Sequence, residues 1–359
     1  MSGSIAYDSL VRWPGLLLAL SACGADVTPR PLRQPDRMRL WTEELPEDQI
    51  AARVAFVAAQ GLGLNVNIQK GRHDRAYLQK LCDHAARHAV ALRLWPNLSN
   101  ESGYWVGQAN ADEFVGWTRD LTSLAKTACP RLDGIVFDLE MPMYRVGELA
   151  SMRAAGASNL QIATWFLEHI DEAAFERARG VLAEEVRRLR ADGYSATAST
   201  LPMNADDYDD GDETIAKALW TPIEGIDWEQ VSFQVYRNLY DQQFPNMSKT
   251  PYTSGLIASY AKSAVAKWGP RAAVDLGTTG AGIGIPMGLA SAAELQSDIA
   301  AALAEGIAPG HVAIYSLEGV LDKADAPAWL RLPAPMAAVP TTTDLEPREQ
   351  FQQLDALAH

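Results

Sequence analysis

Apolar and polar residues follow two alternating periods along most of this chain. Every second residue is apolar between Leu64 and Gln69, which is the period of a half-buried strand, whereas segment 74–88 has the amphipathic period of a helix. Comparable segments alternate up to residue 316. The predicted strands are 38–41, 64–69, 90–95, 134–139, 194–201, 231–236, 273–276 and 312–316, and the predicted helices are 48–60, 74–88, 111–127, 171–192, 256–268 and 292–305.

Eight strands with mostly intervening helices, over about 300 residues, predict an α/β fold of the (β/α)8 TIM barrel type. A doubly wound open sheet is the rival arrangement, but it would place a glycine-rich phosphate loop directly after the first strand. The glycine-rich segment 277–284 follows the seventh predicted strand and lacks the Lys-Ser/Thr pair of a phosphate-binding loop. We therefore expect one barrel domain at 38–332, with 277–284 as a flexible loop at its mouth.

Two connections, 143–170 and 202–230, are longer than a tight βα loop and are expected to shape a site at the C-terminal face of the barrel. The second contains an acidic run at 206–212. We interpret this run as a solvated loop rather than a calcium site, because Asp and Gly density alone does not define a coordination shell. The prolines and threonines after residue 332 predict a C-terminal tail at 333–359.

Composition is typical of a globular protein, with 48% apolar and 21% charged residues among 359. No apolar run approaches about 18 residues, so no membrane-spanning helix is expected. The net charge of −14 argues against a nucleic-acid partner, which would require a basic face. It weakly favours a neutral or cationic ligand.

The N-terminus resembles a bacterial lipoprotein signal. A short apolar core at 16–20 follows Arg12, and small residues precede Cys23. The resemblance implies a signal at 1–23, with Cys23 as the lipidated first residue of an exported protein, followed by a proline-rich linker at 24–37. A lipid anchor would then be the only membrane contact. The alternative is a disordered leader with an incidental cysteine.

The other two cysteines, Cys82 and Cys129, lie in or just after predicted helices. Neither belongs to a C-x-x-C motif or has a histidine at metal-ligand spacing, and we expect neither a metal nor a cofactor. The favoured interpretation is two buried thiols. A disulfide between them is the alternative in an exported protein.

The most informative segment is the end of the fourth predicted strand. An apolar stretch there ends in Asp138 and Glu140, which the period of a strand points to the same side. Acids at the C-terminal end of a barrel strand are placed as catalytic groups are. Two such close carboxylates disfavour joint ionisation, so one pKa should rise, as a general acid near neutral pH requires.

Aromatic and polar side chains also fall at or near predicted strand ends. Aromatic faces stack on the C–H surfaces of sugar rings, and amides and carboxylates bind hydroxyl groups. The candidates for substrate contacts are Trp41, Glu43, Asn67, Trp95, Gln234, Arg237, Tyr315 and Glu318.

The same fourth strand resembles the signature of glycoside hydrolase family 18, the chitinase-like barrels. That signature runs D-G-x-D-x-D-x-E, and this chain has Asp133, Gly134, Asp138 and Glu140, with Val136 in place of the middle aspartate. Two other strand ends resemble the family more loosely. Segment 233–236 is similar to the sixth strand and its site tyrosine, and segment 314–319 is similar to the end of the eighth strand.

The resemblance implies substrate-assisted, retaining hydrolysis of a β-linked oligo- or polysaccharide that contains N-acetylglucosamine. Glu140 would protonate the glycosidic oxygen, and the substrate's 2-acetamido group would attack the anomeric carbon. Asp138 would orient that acetamido group, and Tyr236 would hydrogen-bond its oxygen. Arg237 stands where the family usually has an aspartate, and Val136 would lower activity or change how Asp138 titrates.

The residues alone leave two other functions open. Glu140 could work with a second carboxylate across the mouth, for which Glu43, Glu44, Asp275 and Glu318 are candidates. The chain could also be a non-catalytic glycan-binding barrel, which the two departures from the family pattern favour.

Overall fold

Neighbouring strands pair in parallel and in chain order, and the eighth strand pairs with the first, so the sheet closes on itself. The computed structural model describes residues 37–129, 131–208, 211–243, 250–280 and 288–358. The predicted (β/α)8 barrel is confirmed. Its strands are β1 Arg39–Thr42, β2 Gly63–Gln69, β3 Leu92–Asn97, β4 Gly134–Leu139, β5 Ser195–Thr200, β6 Gln230–Val235, β7 Ala272–Gly277 and β8 Val312–Tyr315.

Helices connect the strands around the barrel. The bounds predicted from the sequence period agree with the corresponding elements to within two residues. The α-helices of the described residues are α1 Ile50–Ala59, α2 Arg75–Arg87, α3 Ala111–Ala128, α4 Met143–Ala154, α5 Asn159–Glu168, α6 Glu172–Ala191, α7 Thr214–Ala218, α8 Arg237–Gln243, α9 Ser254–Trp268, α10 Ala292–Ala304, α11 Leu317–Leu321, α12 Ala326–Trp329 and α13 Thr342–Ala358.

The period of two along each strand separates an apolar outer layer from a largely polar interior. On β2, Leu64 and Val66 belong to the main apolar core between strands and helices, whereas Arg39 of β1 hydrogen-bonds Asn65 inside the barrel. On β4, Phe137 packs against the ring of Phe114 from α3. Apolar burial outside therefore leaves the interior free to carry polar groups.

A partly buried ion-pair network around Asp133 lies at the N-terminal end of the barrel. Arg39 and Arg93 both bind the Asp133 carboxylate, at 3.3 and 3.1 Å. Arg93 also donates to Gln230 across the barrel at 2.5 Å. The first acid of the family-like motif therefore supports the base of the barrel, opposite to the mouth.

Gly134, the next residue of that motif, lies opposite Ser195 of β5 and in close contact with it. A Cβ atom built on it would overlap the side-chain and main-chain oxygens of Ser195. Ser195 Oγ in turn donates to the Asp133 carbonyl at 3.0 Å. The position thus requires glycine for close backbone approach rather than for an unusual dihedral angle.

The two long connections contain more regular structure than the sequence analysis predicted. Segment 143–170 forms α4 and α5, and α5 begins with a capping box between Ser158 and Gln161. Segment 202–230 includes a 3-10 helix, Pro202–Tyr208, and α7.

The interpretation of 206–212 as a solvated acidic loop is wrong for its first two residues, which are buried. Asp206 binds Arg348 of α13 at 2.6 Å. Asp207 accepts hydrogen bonds from the backbone N–H groups of Ile215 and Ala216, each at 2.8 Å, at the start of α7. These carboxylates have structural partners.

The segment predicted as a C-terminal tail ends in helix α13, which packs on α9, α7 and the 3-10 helix at 202–208. Asp344 accepts hydrogen bonds from Thr253 and Thr341. The C-terminal helix therefore belongs to the barrel domain.

A disulfide joins Cys82 of α2 to Cys129 at the end of α3. The favoured interpretation, two buried thiols, is therefore wrong, and the alternative, a disulfide between these two cysteines, is the one observed. The signal at 1–23 and all but the last residue of the linker at 24–37 lie outside the described residues. No helix in the described part of the chain meets the length and hydropathy needed to cross a membrane.

Candidate active site

A small open pocket lies at the C-terminal ends of the strands, with about 260 Å³ of empty space when the adjoining open solvent is included. In such barrels this end carries the variable, functional side chains, because the βα loops surround it. The pocket contains a pair of acids, an amide and four aromatic rings. It is lined by Trp41, Trp95, Asp138, Glu140, Gln234, Tyr236 and Tyr315.

One amide group connects the two acids. Gln234 Nε2 lies 2.7 Å from Asp138 Oδ1 and 3.0 Å from Glu140 Oε1. The two carboxyl groups also hydrogen-bond each other. Gln234 comes from β6, so the pairing of β4 through β5 to β6 brings these three side chains together.

Burial raises the pKa of Asp138 well above its usual range and the pKa of Glu140 to about 7. The charges of Glu43 and Asp275 act in the same direction on both groups, whereas the hydrogen bond from Gln234 opposes the rise at Glu140. Asp138 is buried and Glu140 is partly buried, and two carboxylates this close in such surroundings do not ionise together at low cost. The pair therefore keeps a proton near neutral pH, as a general acid requires.

A third carboxylate, Asp275 of β7, lies inside the barrel. It accepts hydrogen bonds from Trp41 Nε1 at 3.1 Å and from Ser199 Oγ at 2.7 Å. Burial raises the pKa of Asp275 to about 6, and its hydrogen-bond donors limit that rise. Because its oxygens are occupied by donors from β1 and β5, it supports the pocket from within the barrel.

Aromatic rings form the apolar walls of the pocket. Trp41 and Trp95 meet edge to face with their centroids 5.0 Å apart, and Tyr236 and Tyr315 pack at 5.7 Å. Trp95 Nε1 is buried without a hydrogen-bond partner among the described residues. An unpaired buried donor costs free energy, so this N–H group can gain from a ligand or water oxygen.

Val136 packs within the same aromatic cluster, fully buried. It faces the interior because it alternates with Ile135 and Phe137, which belong to the outer core. The position at which the family has its middle aspartate is thus filled by an apolar contact.

Glu43 and Asn67 lie beside the pocket rather than among its lining residues. Glu43 accepts hydrogen bonds from Tyr104 at 2.9 Å and from Tyr315 at 2.5 Å. Asn67 Nδ2 donates to the same Tyr104 hydroxyl at 2.6 Å. This chain of hydrogen bonds fixes the orientation of Tyr315, one wall of the pocket.

Arg237, predicted to contact substrate, does not line the pocket. Its guanidinium binds Asp298 of α10 at 2.9 Å and the Tyr252 carbonyl at 3.1 Å. The side chain follows the end of β6 and turns outward, where a buried carboxylate compensates its charge. Arg237 is the first residue of α8, after β6 has ended at Val235, so the period of the strand does not direct its side chain into the pocket as the prediction assumed.

Glu318, predicted as a substrate contact or second catalytic acid, also lies outside the pocket lining. Its Oε1 accepts hydrogen bonds from Thr42 and from Arg53, the latter at 3.0 Å. Glu318 stands in the first turn of α11 and pairs with a cation from α1. The hypothesis that Glu318 is the catalytic partner of Glu140 is therefore corrected: Glu318 forms a structural ion pair with Arg53.

Ser199 is a functional candidate that the sequence prediction lacked. It binds both Asp275 and Gln234, the latter at 3.2 Å. The polar positions Ser195, Thr197 and Ser199 alternate along β5, and this period could have marked them as interior residues. Among the described residues, no group of three or more His, Cys, Asp or Glu side chains is arranged to hold a metal ion.

No model of a protein family and no curated protein matches this sequence. Among solved structures, the chain is similar to the glycoside hydrolase domain of PgaB (BpsB) from Bordetella bronchiseptica, with 11% identity, a TM-score of 0.49, and coverage of 84% of this chain and 100% of that one. An endo-β-mannanase/endo-β-glucanase of Prevotella bryantii has 10% identity and a TM-score of 0.48, over 89% of this chain and 48% of that one.

A D-allulose 3-epimerase from a Methylomonas species is also similar, with 10% identity and a TM-score of 0.44, over 90% of this chain and 99% of that one. These neighbours include glycoside hydrolases and a sugar epimerase, so their chemistries differ. At such values they carry no argument about activity. The barrel itself rests on the strand pairing of this chain.

Proposed function

We propose that this chain is a glycoside hydrolase that cleaves a β-linked glycan containing N-acetylglucosamine. One observation carries the proposal: Gln234 bridges Asp138 and Glu140 in an aromatic-walled pocket at the barrel mouth. Two acids that share a donor and retain a proton suit acid catalysis at a glycosidic oxygen. The surrounding rings suit the C–H faces of a sugar.

In this mechanism Glu140 donates its proton to the glycosidic oxygen as the bond to the anomeric carbon breaks. The carbonyl oxygen of the substrate's 2-acetamido group attacks that carbon, and water later opens the resulting ring. Asp138 accepts a hydrogen bond from the acetamido N–H and thereby orients the nucleophile. The Tyr236 hydroxyl, which lines the same pocket, donates to the acetamido oxygen.

A screen of the purified protein on an array of defined oligosaccharides tests this proposal. Glu140→Gln keeps the shape of the side chain but removes its proton-donating carboxyl group. We expect this variant to lose turnover by at least about 100-fold while retaining glycan affinity. Glu318→Gln is the matched control in the first turn of α11, and it should retain turnover because its carboxylate pairs with Arg53.

Each result of the screen has a defined meaning. Turnover by Glu140→Gln equal to that of the parent protein would contradict the proposal. Binding without turnover by the parent protein would instead support the glycan-binding barrel. If the parent protein neither binds nor cleaves any β-linked glycan of the array, both the glycosidase and the glycan-binding barrel are contradicted.

A two-carboxylate glycosidase remains a second candidate, with Glu43 as the partner of Glu140. Glu43 is held at the pocket edge by the Tyr104 and Tyr315 hydroxyls, and its charge acts on both acids of the pair. A substrate with a hydroxyl in place of the acetamido group separates the mechanisms. Substrate assistance requires the acetamido group, whereas a Glu43 mechanism cleaves both substrates and fails in Glu43→Gln.

We also propose that the protein is exported and anchored through a lipid on Cys23. The disulfide between Cys82 and Cys129 supports an oxidising compartment. Incorporation of a labelled fatty acid in a bacterial host, with Cys23→Ala as the control, tests the anchor. Equal labelling of both proteins would contradict it.

A further inference from the structure

A continuous set of hydrogen bonds connects Asp275, deep in the barrel, to the acid pair at its mouth. Ser199 Oγ donates to Asp275 Oδ2 at 2.7 Å. Gln234 Nε2 lies 3.2 Å from the same Ser199 oxygen, and it also binds Asp138 and Glu140. One serine and one amide thus separate the third carboxylate from the other two.

The donors in this set are fewer than the acceptors. The Gln234 amide nitrogen has two protons, but three oxygens lie within hydrogen-bond distance of it. The Ser199 hydroxyl has one proton, which goes to Asp275 while that carboxylate is ionised. The serine oxygen then faces Gln234 as an acceptor and competes with Asp138 and Glu140 for its two protons.

We propose that Asp275 is a positioning residue that keeps the acidic proton on the Asp138–Glu140 pair, acting by its charge and through Ser199 and Gln234. The inference rests on the proposed function only in naming that proton as the catalytic one. Ionised Asp275 repels a second negative charge at the mouth. It also orients Ser199 so that part of the Gln234 donor capacity is withdrawn from the two acids, which further disfavours their full ionisation.

The other charged groups near Asp138 and Glu140 do not take over the role proposed for Asp275. Glu43 from the end of β1 also repels negative charge there, but it lies beside Tyr104 and Tyr315. Arg93, toward the base of the barrel, acts on Asp275 and favours its ionised form. The negative charge of Asp275 also acts to raise the pKa values of Asp138 and Glu140, in agreement with the geometry.

Infrared difference spectroscopy of the carboxyl groups tests the proposal without turnover. The Glu140 band is identified by its loss in Glu140→Gln, and its midpoint is followed between pH about 4 and 9. Asp275→Asn removes the charge and disturbs the Ser199 bond, so the midpoint should move down by about one pH unit. Ser199→Ala should move it in the same direction by less.

Ser232→Ala is the matched control, because Ser232 also hydrogen-bonds Asp275 but is not among the donors and acceptors that reach Gln234. Its shift should be smaller than that of Ser199→Ala. Equal shifts in the two serine variants, or an unchanged midpoint in Asp275→Asn, would overturn the proposal. If Asp275→Asn fails to fold, the comparison of the two serine variants still decides.

Failure of this inference is separable from failure of the proposed function. A protein that cleaves no glycan but shows the expected order of midpoints supports the hydrogen-bond network and contradicts the glycosidase. If the protein cleaves a glycan but Asp275→Asn does not move the alkaline limb of its kcat/KM profile, the proposed role of Asp275 is contradicted. The proposed glycosidase activity is then unaffected.

Discussion

Asp133 and Asp138 belong to the same motif, but their side chains serve opposite ends of the barrel. Asp133 binds Arg39 and Arg93 at the closed base, whereas Asp138 binds Gln234 at the open mouth. The motif is continuous in the sequence, but it has two parts in the structure. Its structural half, Asp133 and Gly134, supports the barrel, and its chemical half, Asp138 and Glu140, lines the pocket. The two carboxylates have different partners, so the two halves can be tested separately.

The pH dependence of activity tests the chemical half. With the pKa of Glu140 at about 7, kcat/KM on a cleaved glycan should fall as pH rises above that value, because the general acid loses its proton. Gln234→Leu removes the hydrogen bond that stabilises charged Glu140, so the alkaline limb should move upward. This direction is opposite to that expected for Asp275→Asn. A downward shift in Gln234→Leu would contradict the assigned role of the amide.

The raised pKa of partly buried Glu140 should also make the stability of the fold depend on pH. Because the pKa of Glu140 is raised in the folded state, that state binds more protons than the unfolded chain between pH about 4.5 and 7, and stability falls as pH rises through this window. Glu140→Gln should therefore be more stable than the parent by about 2 kcal/mol at pH about 8, with the difference shrinking toward pH about 5. Denaturant unfolding at both pH values measures it, and exposed Glu148→Gln is the control.

The structural half is tested at Gly134. Gly134→Ala should destabilise the fold by about 3 kcal/mol, because the added methyl group overlaps Ser195, including its backbone carbonyl. Gly147→Ala is the control, since no atom lies near its added Cβ and it stands within α4. It should be neutral or stabilise the helix by up to about 1 kcal/mol. Similar unfolding free energies for both variants would contradict the close approach of β4 and β5.

Arg237 provides a test of the corrected site. Arg237→Met should cost about 3–5 kcal/mol of stability because it leaves Asp298 buried without its cation. At a temperature where the variant is folded, KM for a cleaved glycan should be unchanged. Lys80→Met, which breaks an exposed ion pair with Glu47, should cost less than about 1 kcal/mol. A large rise in KM with normal stability would return Arg237 to the substrate site.

The disulfide predicts a simple thiol count. The chain has three cysteines, and two are joined, so unfolding without reductant should expose one reactive thiol in the unlipidated protein and three after reduction. Cys82→Ser should lower stability by about 4 kcal/mol, as expected for closing a loop with a sequence separation of 47. Three reactive thiols before reduction would contradict the bond between Cys82 and Cys129.

The sequence by itself determined the barrel and the direction of its key acids. Hydrophobic periodicity is a local property, so it predicted eight strands and six helices near their observed bounds. It also predicted that Asp138 and Glu140 point to the same side, and both line the pocket. It gave less information where periodicity is weak, as in 143–170, 202–230 and the C-terminal segment, which all contain helices.

Only the tertiary structure decided which side chains meet. Gln234 contacts the acids, and Ser199 connects it to Asp275, because the closed sheet aligns β4 to β7 in register. The same alignment directs Arg237 outward to Asp298 and leaves Glu318 bound to Arg53. Contacts between distant residues depend on register, twist and closure of the whole sheet, and no local period encodes those quantities.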